Sequence, residues 1–153
     1  MIYIGIDPGL ISGAYAAIDH NGAFVACGDI PNKDGRVLAR ALSVLLRELI
    51  PRGDGAEIVI EQVGCMPGQG IASTSKFMRA TGTIEAVCNL MLYPMSMVTP
   101  QVWKKHYGLI KAPKAASLAM ARAAWPSAPL KLAKHHGRAE ALLLAGFLLG
   151  TTA

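Results

Sequence analysis

Apolar and polar positions first alternate and then recur at helical spacing, in an order that outlines the chain. It opens on "MIYIGID", an apolar run that closes on Asp-Pro-Gly, a turn signal. Residues 13–29, "GAYAAIDHNGAFVACGD", predict two further strands about a turn at "DHNG", so the first three strands form an antiparallel meander. Val37, Leu38, Ala41, Leu42, Leu45, Leu46 and Leu49 then recur at helical spacing. They predict a helix over 36–49, with its arginines on the other face and Pro51, Gly53 and Gly55 as its stop.

"EIVIEQV" (57–63) is a strand after a helix, so a parallel crossover is the expected connection. Residues 64–74, "GCMPGQGIAST", have no hydrophobic period and read as a Gly-rich loop. A helix over 76–92 follows, with Gly82 in its middle. A mid-helix glycine costs about 1 kcal/mol against alanine, so close packing against another element is expected there. A fifth strand (95–100), a short helix (101–107), a basic loop (108–114), a helix (115–125) and an apolar final helix complete the order. Three strands followed by alternating helices and strands imply one α/β domain over 1–153 with a mixed sheet.

Three carboxylates interrupt this pattern. Asp7 ends the first strand, where an ordinary Asp-Pro-Gly turn accounts for it alone. Glu61 lies in a strand that is apolar on both parities, as in a central strand covered on both faces. An unpaired carboxylate there costs several kcal/mol or stays protonated, unless an arginine meets it. Glu140 enters the otherwise apolar "ALLLAGFLL" helix; Gly137 as N-cap, with Glu140 three residues on, would make it part of a capping box.

Together the three point elsewhere. Sites in open α/β sheets form at the C-terminal ends of parallel strands. If the first and fourth strands are neighbours, Asp7 and Glu61 converge, and a final helix packed on the sheet brings in Glu140. Carboxylates that close need a cation to stay ionised. Hard oxygen donors without a thiolate cluster favour Mg²⁺ or Mn²⁺, and two such ions about 4 Å apart suit phosphodiester hydrolysis. His136 lies one helical turn before Glu140, whereas His135 is rotated by about 140° from it. His136 is therefore the expected fourth ligand and His135 points outward or touches phosphate; two surface histidines at a helix start are the plainer alternative.

Charge adds a partner class. The net charge of +5 is uneven: residues 1–85 hold seven Lys/Arg against nine Asp/Glu, and residues 86–153 hold eight against one. Such asymmetry suits an acidic partner, most simply nucleic acid, or else a solvated basic face. Cys27, Cys65 and Cys88 follow no zinc or disulfide spacing, which suits a reducing cytosol. No signal peptide is read at the N-terminus, and the longest apolar run (139–149) is too short to span a bilayer. The expected location is the cytoplasm.

"IGIDPG", "IVIEQV", "KAPKAASLAMARA" and "GRAEALLLA" occur in the order seen in RuvC-type Holliday junction resolvases. The chain resembles that family over nearly its whole length, and "MPGQG" resembles its phage and prophage branch. The resemblance implies an RNase H-like (retroviral integrase-like) α/β fold, with a mixed five-stranded sheet and helices on both faces. It also implies a homodimer and divalent-metal cleavage of four-way DNA junctions. Asp7 matches the family's strand-one aspartate, Glu61 its mid-chain glutamate and Glu140 its last-helix acid. Lys114 falls where the family has a lysine near the scissile phosphate, with Lys111 its close alternative. The helix from 76 to 92 would be the dimer-interface helix.

Two departures stand out. A further acid of the bacterial pattern is replaced here by His136, which adds nitrogen and removes charge, tilting preference from Mg²⁺ toward Mn²⁺. Gly64 stands where bacterial members have a junction-wedging Phe, so either the wedge is absent or Met66 or Phe77 substitutes for it. One ion between Asp7 and Glu140/His136 would activate water, and another between Asp7 and Glu61 would stabilise the leaving 3′ oxygen. Lys114 would neutralise charge on the phosphate, leaving 5′-phosphate and 3′-hydroxyl ends. Candidate DNA contacts are Lys104, Lys105, His106, Lys111, Lys114 and Arg138, with Met66, Gln69 and Lys76. Tyr107 and Trp103 could stack on bases, although Trp103 suits the core better. The rival readings are a junction-binding protein without catalysis and a nuclease of this fold acting on RNA or flaps. An actin-like ATPase needs two such lobes, and 153 residues are too few.

Overall fold

β1 (Ile2–Asp7), β2 (Ala14–Asp19) and β3 (Phe24–Asp29) form the expected antiparallel meander in the computed structural model, which describes residues 1–9, 13–64, 68 and 70–152. A separate hairpin follows, β4 (Asn32–Lys33) against β5 (Arg36–Val37), turning at Asp34-Gly35. Both turn residues have positive φ, 53° and 76°, the two-residue hairpin geometry that Asp-Gly favours. The hairpin claims Arg36 and Val37, so the helix expected from 36 is corrected: α1 spans Ala39–Glu48 and buries Leu42 and Leu46.

β6 (Ala56–Glu61) runs parallel to β1, as the crossover rule requires. α2 (Ile71–Leu90) starts five residues earlier than expected and takes in the end of the segment read as a loop. β7 (Met95–Val98) pairs parallel with β6. Pro100 opens α3 (Pro100–His106) rather than closing the strand, since proline suits a helix's first position. α4 (Lys114–Ala124), a 3-10 turn (Ala133–His135) and α5 (His136–Thr152) complete the chain. Gly137 is thus inside the first turn of α5 and is not its N-cap.

The five-stranded sheet has the order β3-β2-β1-β6-β7, mixed as expected, with helices on both faces. The period of two along each strand assigns the faces. Ile4, Ile6, Ile58 and Ile60 pack with α1 and with Ile84 and Val87 of α2. Ala14, Ala16, Ile18 and Val59 pack with Leu142, Leu144, Leu148 and Trp103. By the same alternation Gly5, Asp7 and Glu61 face α5, and Ile6 pairs with Ile60, so the two acids come next along adjacent strands. At Gly5 the backbones of β1 and α5 nearly touch. A Cβ there would strike the carbonyl oxygen of Ala141 and lie 2.6 Å from the Ala145 nitrogen.

α2 buries Phe77, Thr81, Ile84, Val87 and Cys88 but leaves Ile71 90% and Leu90 74% exposed. Nothing lies within 4 Å of a Cβ built on Gly82, so the close packing expected there is absent among the described residues. Among the described residues no helix is long and apolar enough to cross a membrane.

Candidate active site

Asp7, Glu61, His136 and Glu140 line one open cavity of about 530 Å³, where the ends of β1 and β6 meet the start of α5. Lys104, Lys114, Arg138 and Asp29 line it too.

Asp7 is buried, and its Oδ1 accepts a hydrogen bond from the Gly9 N–H at 2.9 Å. Burial, then the charges of Glu61 and Glu140, push its carboxyl up to about 7, against the weaker opposing pulls of that bond and of Lys104. A Cβ on Gly137 would sit 3.3 Å from Asp7 Oδ2. Glycine there lets the first turn of α5 close on the carboxylate.

Glu61 is also buried, but its partner is not the arginine considered above. The indole Nε1 of Trp103 donates to Glu61 Oε1 at 2.8 Å, and Trp103 is fully buried. Desolvation raises the Glu61 carboxyl, and the indole bond works against that rise. The next residue, Lys104, puts its Nζ 3.3 Å from Glu140 Oε1 and 5.1 Å from the Trp103 ring centroid. Ser117 Oγ donates to the same glutamate oxygen at 3.5 Å. α3 thus delivers consecutive side chains to two of the acids.

The two histidines separate as their helical offset predicts. His136 is exposed on the cavity, while His135 turns away and its Nδ1 accepts from the Leu132 N–H at 3.3 Å. Lys114, the first residue of α4, faces the cavity; Lys105 and Lys111 are exposed but do not line it. Arg138 is held by both oxygens of Asp29, at 2.8 and 2.9 Å, and this pairing keeps the Asp29 carboxyl below the usual range. Lys76 lies farther along, outside this cavity. Phe77 borders the cavity but is 3% exposed, which removes it as a wedge in this conformation. Met66 and Gln69 lie outside the described residues. His106 meets Tyr107 and Phe147 edge-on, and the Tyr107 hydroxyl donates to the Leu143 carbonyl.

Among the described residues no three His, Cys, Asp or Glu side chains are gathered tightly enough to hold an ion as placed. Glu61 is turned to Trp103 and Glu140 to Lys104. The donor set still fits a hard divalent cation: the carboxylates of Asp7, Glu61 and Glu140 and the His136 imidazole share one cavity. Sequence reasoning missed Asp29 and Ser117, and placed Trp103 and Lys104 without their carboxylate partners. The one available signal was Trp103 itself, an indole N–H that needs an acceptor once buried.

No protein-family model matches the chain. Among the solved structures that share its fold along nearly the full length are two of RuvC. RuvC of T. thermophilus in complex with a Holliday junction substrate is 15% identical, with a TM-score of 0.70 over 99% of this chain and 96% of that one. The Thermus thermophilus RuvC structure is 18% identical, with a TM-score of 0.71 over 99% and 97%. The fold therefore belongs to the RNase H-like class. Within that class its fold is similar to that of RuvC. In sequence the chain is 33% identical over 121 residues to the chloroplastic Holliday junction resolvase MOC1 of Chlamydomonas reinhardtii. That match covers 74% of this chain but only 13% of the much longer relative.

Proposed function

We propose that residues 1–153 form one nuclease domain that resolves four-way DNA junctions, working as a homodimer with divalent metal ions. The observation that carries this reading is the convergence of Asp7, Glu61 and Glu140, from three separate elements, on one cavity that Lys114 also faces. Similarity to a Holliday junction resolvase and to a RuvC–junction complex supplies the substrate class.

Asp7, Glu61, His136 and Glu140 would hold Mg²⁺ or Mn²⁺. When bound, the ions would supply an activated water and stabilise the leaving 3′ oxygen. The remaining work belongs to the chain. Asp7, whose carboxyl feels the charges of both Glu61 and Glu140, would be one of the residues that hold the ions. The Trp103 N–H fixes one oxygen of Glu61 and leaves the other free to ligate. Lys104 offsets the Glu140 charge until a stronger cation replaces it. Lys114 would neutralise charge gathering on the phosphate, leaving 5′-phosphate and 3′-hydroxyl ends. An imidazole in place of a fourth carboxylate moves the preference toward Mn²⁺. A two-fold dimer on a two-fold junction would nick two symmetric strands. The uncovered side of α2 is the surface that suits such a dimer.

Synthetic junctions test the reading. Asp7→Asn is expected to abolish cleavage while junction binding persists. Normal cleavage by that variant in Mn²⁺ or Mg²⁺ would refute the assignment of the acids. Binding by the parent chain with no cleavage in any divalent metal selects a junction-binding protein instead. Faster cleavage of flaps or RNA–DNA hybrids than of junctions would overturn the substrate.

A further inference from the structure

The cavity around the three acids does not end at Phe77. Gly9 and Phe77 are shared with a second cavity, which in turn shares Gly35 and Lys76 with a third. The three make one groove, from the first turn of α5, past α2, to the β4–β5 hairpin. Its far end is lined by Lys33, Arg36, Lys76 and Arg79, with Asp34 as the acid beside them.

At the near end two cations are committed, Lys104 to Glu140 and Arg138 to Asp29, while Lys114 and Lys134 line the cavity with no ion pair among the described residues. The four far cations are exposed, and none is ion-paired among the described residues. They are four of the seven Lys/Arg in residues 1–85, a stretch whose acids outnumber its cations. Their placement carries a local penalty. Lys33 and Arg36 face each other across the hairpin, and like charges directly opposite on a strand pair repel. Lys76 and Arg79 are three apart on α2, neighbours on its surface. Two repelling pairs thus share one groove wall, and a polyanion lying between them would relieve both.

We infer that this groove is a backbone track for the nucleic-acid strand leaving the candidate site, with Lys33, Arg36, Lys76 and Arg79 as its phosphate contacts. It rests on the nuclease reading and extends it to the flanking arm of the substrate. The contacts hold phosphates and carry no base readout, so they set affinity and register rather than sequence.

The test uses Lys33→Ala/Arg36→Ala and Lys76→Ala/Arg79→Ala in the Asp7→Asn chain, with Arg52→Ala/Lys131→Ala as a control of equal charge loss outside the groove. Circular-dichroism melts confirm that all three fold. Binding of a four-way junction, a plain duplex and a single strand is then titrated from 50 to 200 mM salt. Each lost phosphate contact lowers the log–log salt slope by about 0.9, so each groove pair should lower it by roughly 1.8, with junction binding about ten-fold weaker at the low-salt end and the control unchanged. Equal slopes for groove and control variants overturn the track. A groove effect on all three DNAs, with no preference for the junction, upholds the track and overturns only the junction reading. Failure of the parent chain to bind any of them overturns both.

Discussion

α5 and α2 cover opposite faces of one sheet, and neither shows a clean polar stripe, yet for different reasons. α5 is enclosed by its own chain: Ala139, Leu142, Leu143, Leu144 and Ala145 are all at most 1% exposed. α2 is enclosed on one side only. Ile71, Met78, Gly82 and Ala86 fall within about 80° of one another around the helix, and all four are exposed. A helix without a clean polar stripe therefore marks either a finished core or one that still lacks a neighbour. The finished side carries the candidate metal ligands, and the unfinished side offers the surface proposed for a second copy.

Substitutions at matched positions probe this contrast. The largest effect is expected at Gly5, where the two backbones meet. Gly5→Leu should cost more than the roughly 1–3 kcal/mol of ordinary overpacking and prevent folding, read from soluble yield and far-UV circular dichroism. A melt close to that of the parent would show that the α5 side is looser than described.

Next is Asp7→Asn in metal-free buffer. The Asp7 carboxyl rises from 3.8 to about 7 in the fold, so the folded state holds its proton more tightly than the unfolded chain does. The parent should lose stability relative to the Asn variant as pH climbs from about 4 to about 7, by up to roughly 4 kcal/mol, with no difference below that window. Urea unfolding at pH 3.5, 5.5 and 7.5 checks the sign; a variant less stable than the parent at pH 7.5 would reverse it.

On the other face, Gly82→Ala should gain about 1 kcal/mol when measured at dilutions where the chain is monomeric, because nothing crowds the added methyl. Destabilisation there would mean that α2 has a neighbour within the chain after all. Met78→Glu should move stability least, by no more than about 0.5 kcal/mol. Analytical ultracentrifugation should nevertheless show it as a monomer where the parent is a dimer. A variant that still dimerises would put the interface elsewhere.

The sheet and its parallel crossover were legible in the sequence because strand period and turn chemistry agree from Ile2 to Asp29 and again from Ala56 to Glu61. The hairpin at Asp34-Gly35 was hidden because Val37 and Leu38 fit the helical period of α1, and periodicity outweighed a two-residue turn signal. The early start of α2 was hidden because its first turns, "IASTS", carry no apolar rhythm. At the site, Glu61 and Glu140 could be read as acids that a covered core would otherwise reject, and His136 by its place one helical turn before Glu140. Their partners could not. Trp103 meets Glu61 across 42 residues and Arg138 meets Asp29 across 109, and such pairs depend on how α3 and α5 dock rather than on local spacing.

Gly5 lies two residues before Asp7 on β1, and Ala141, whose carbonyl it abuts, directly follows Glu140 on α5. The separation of these two acids is therefore gauged by main chain resting on main chain, like a rivet set beside both, and not by the bulk of the side chains between them. Leu142, Leu144 and their neighbours can be exchanged for other apolar residues while that gauge holds. A protein built this way can drift far in sequence and keep its two acids the same distance apart.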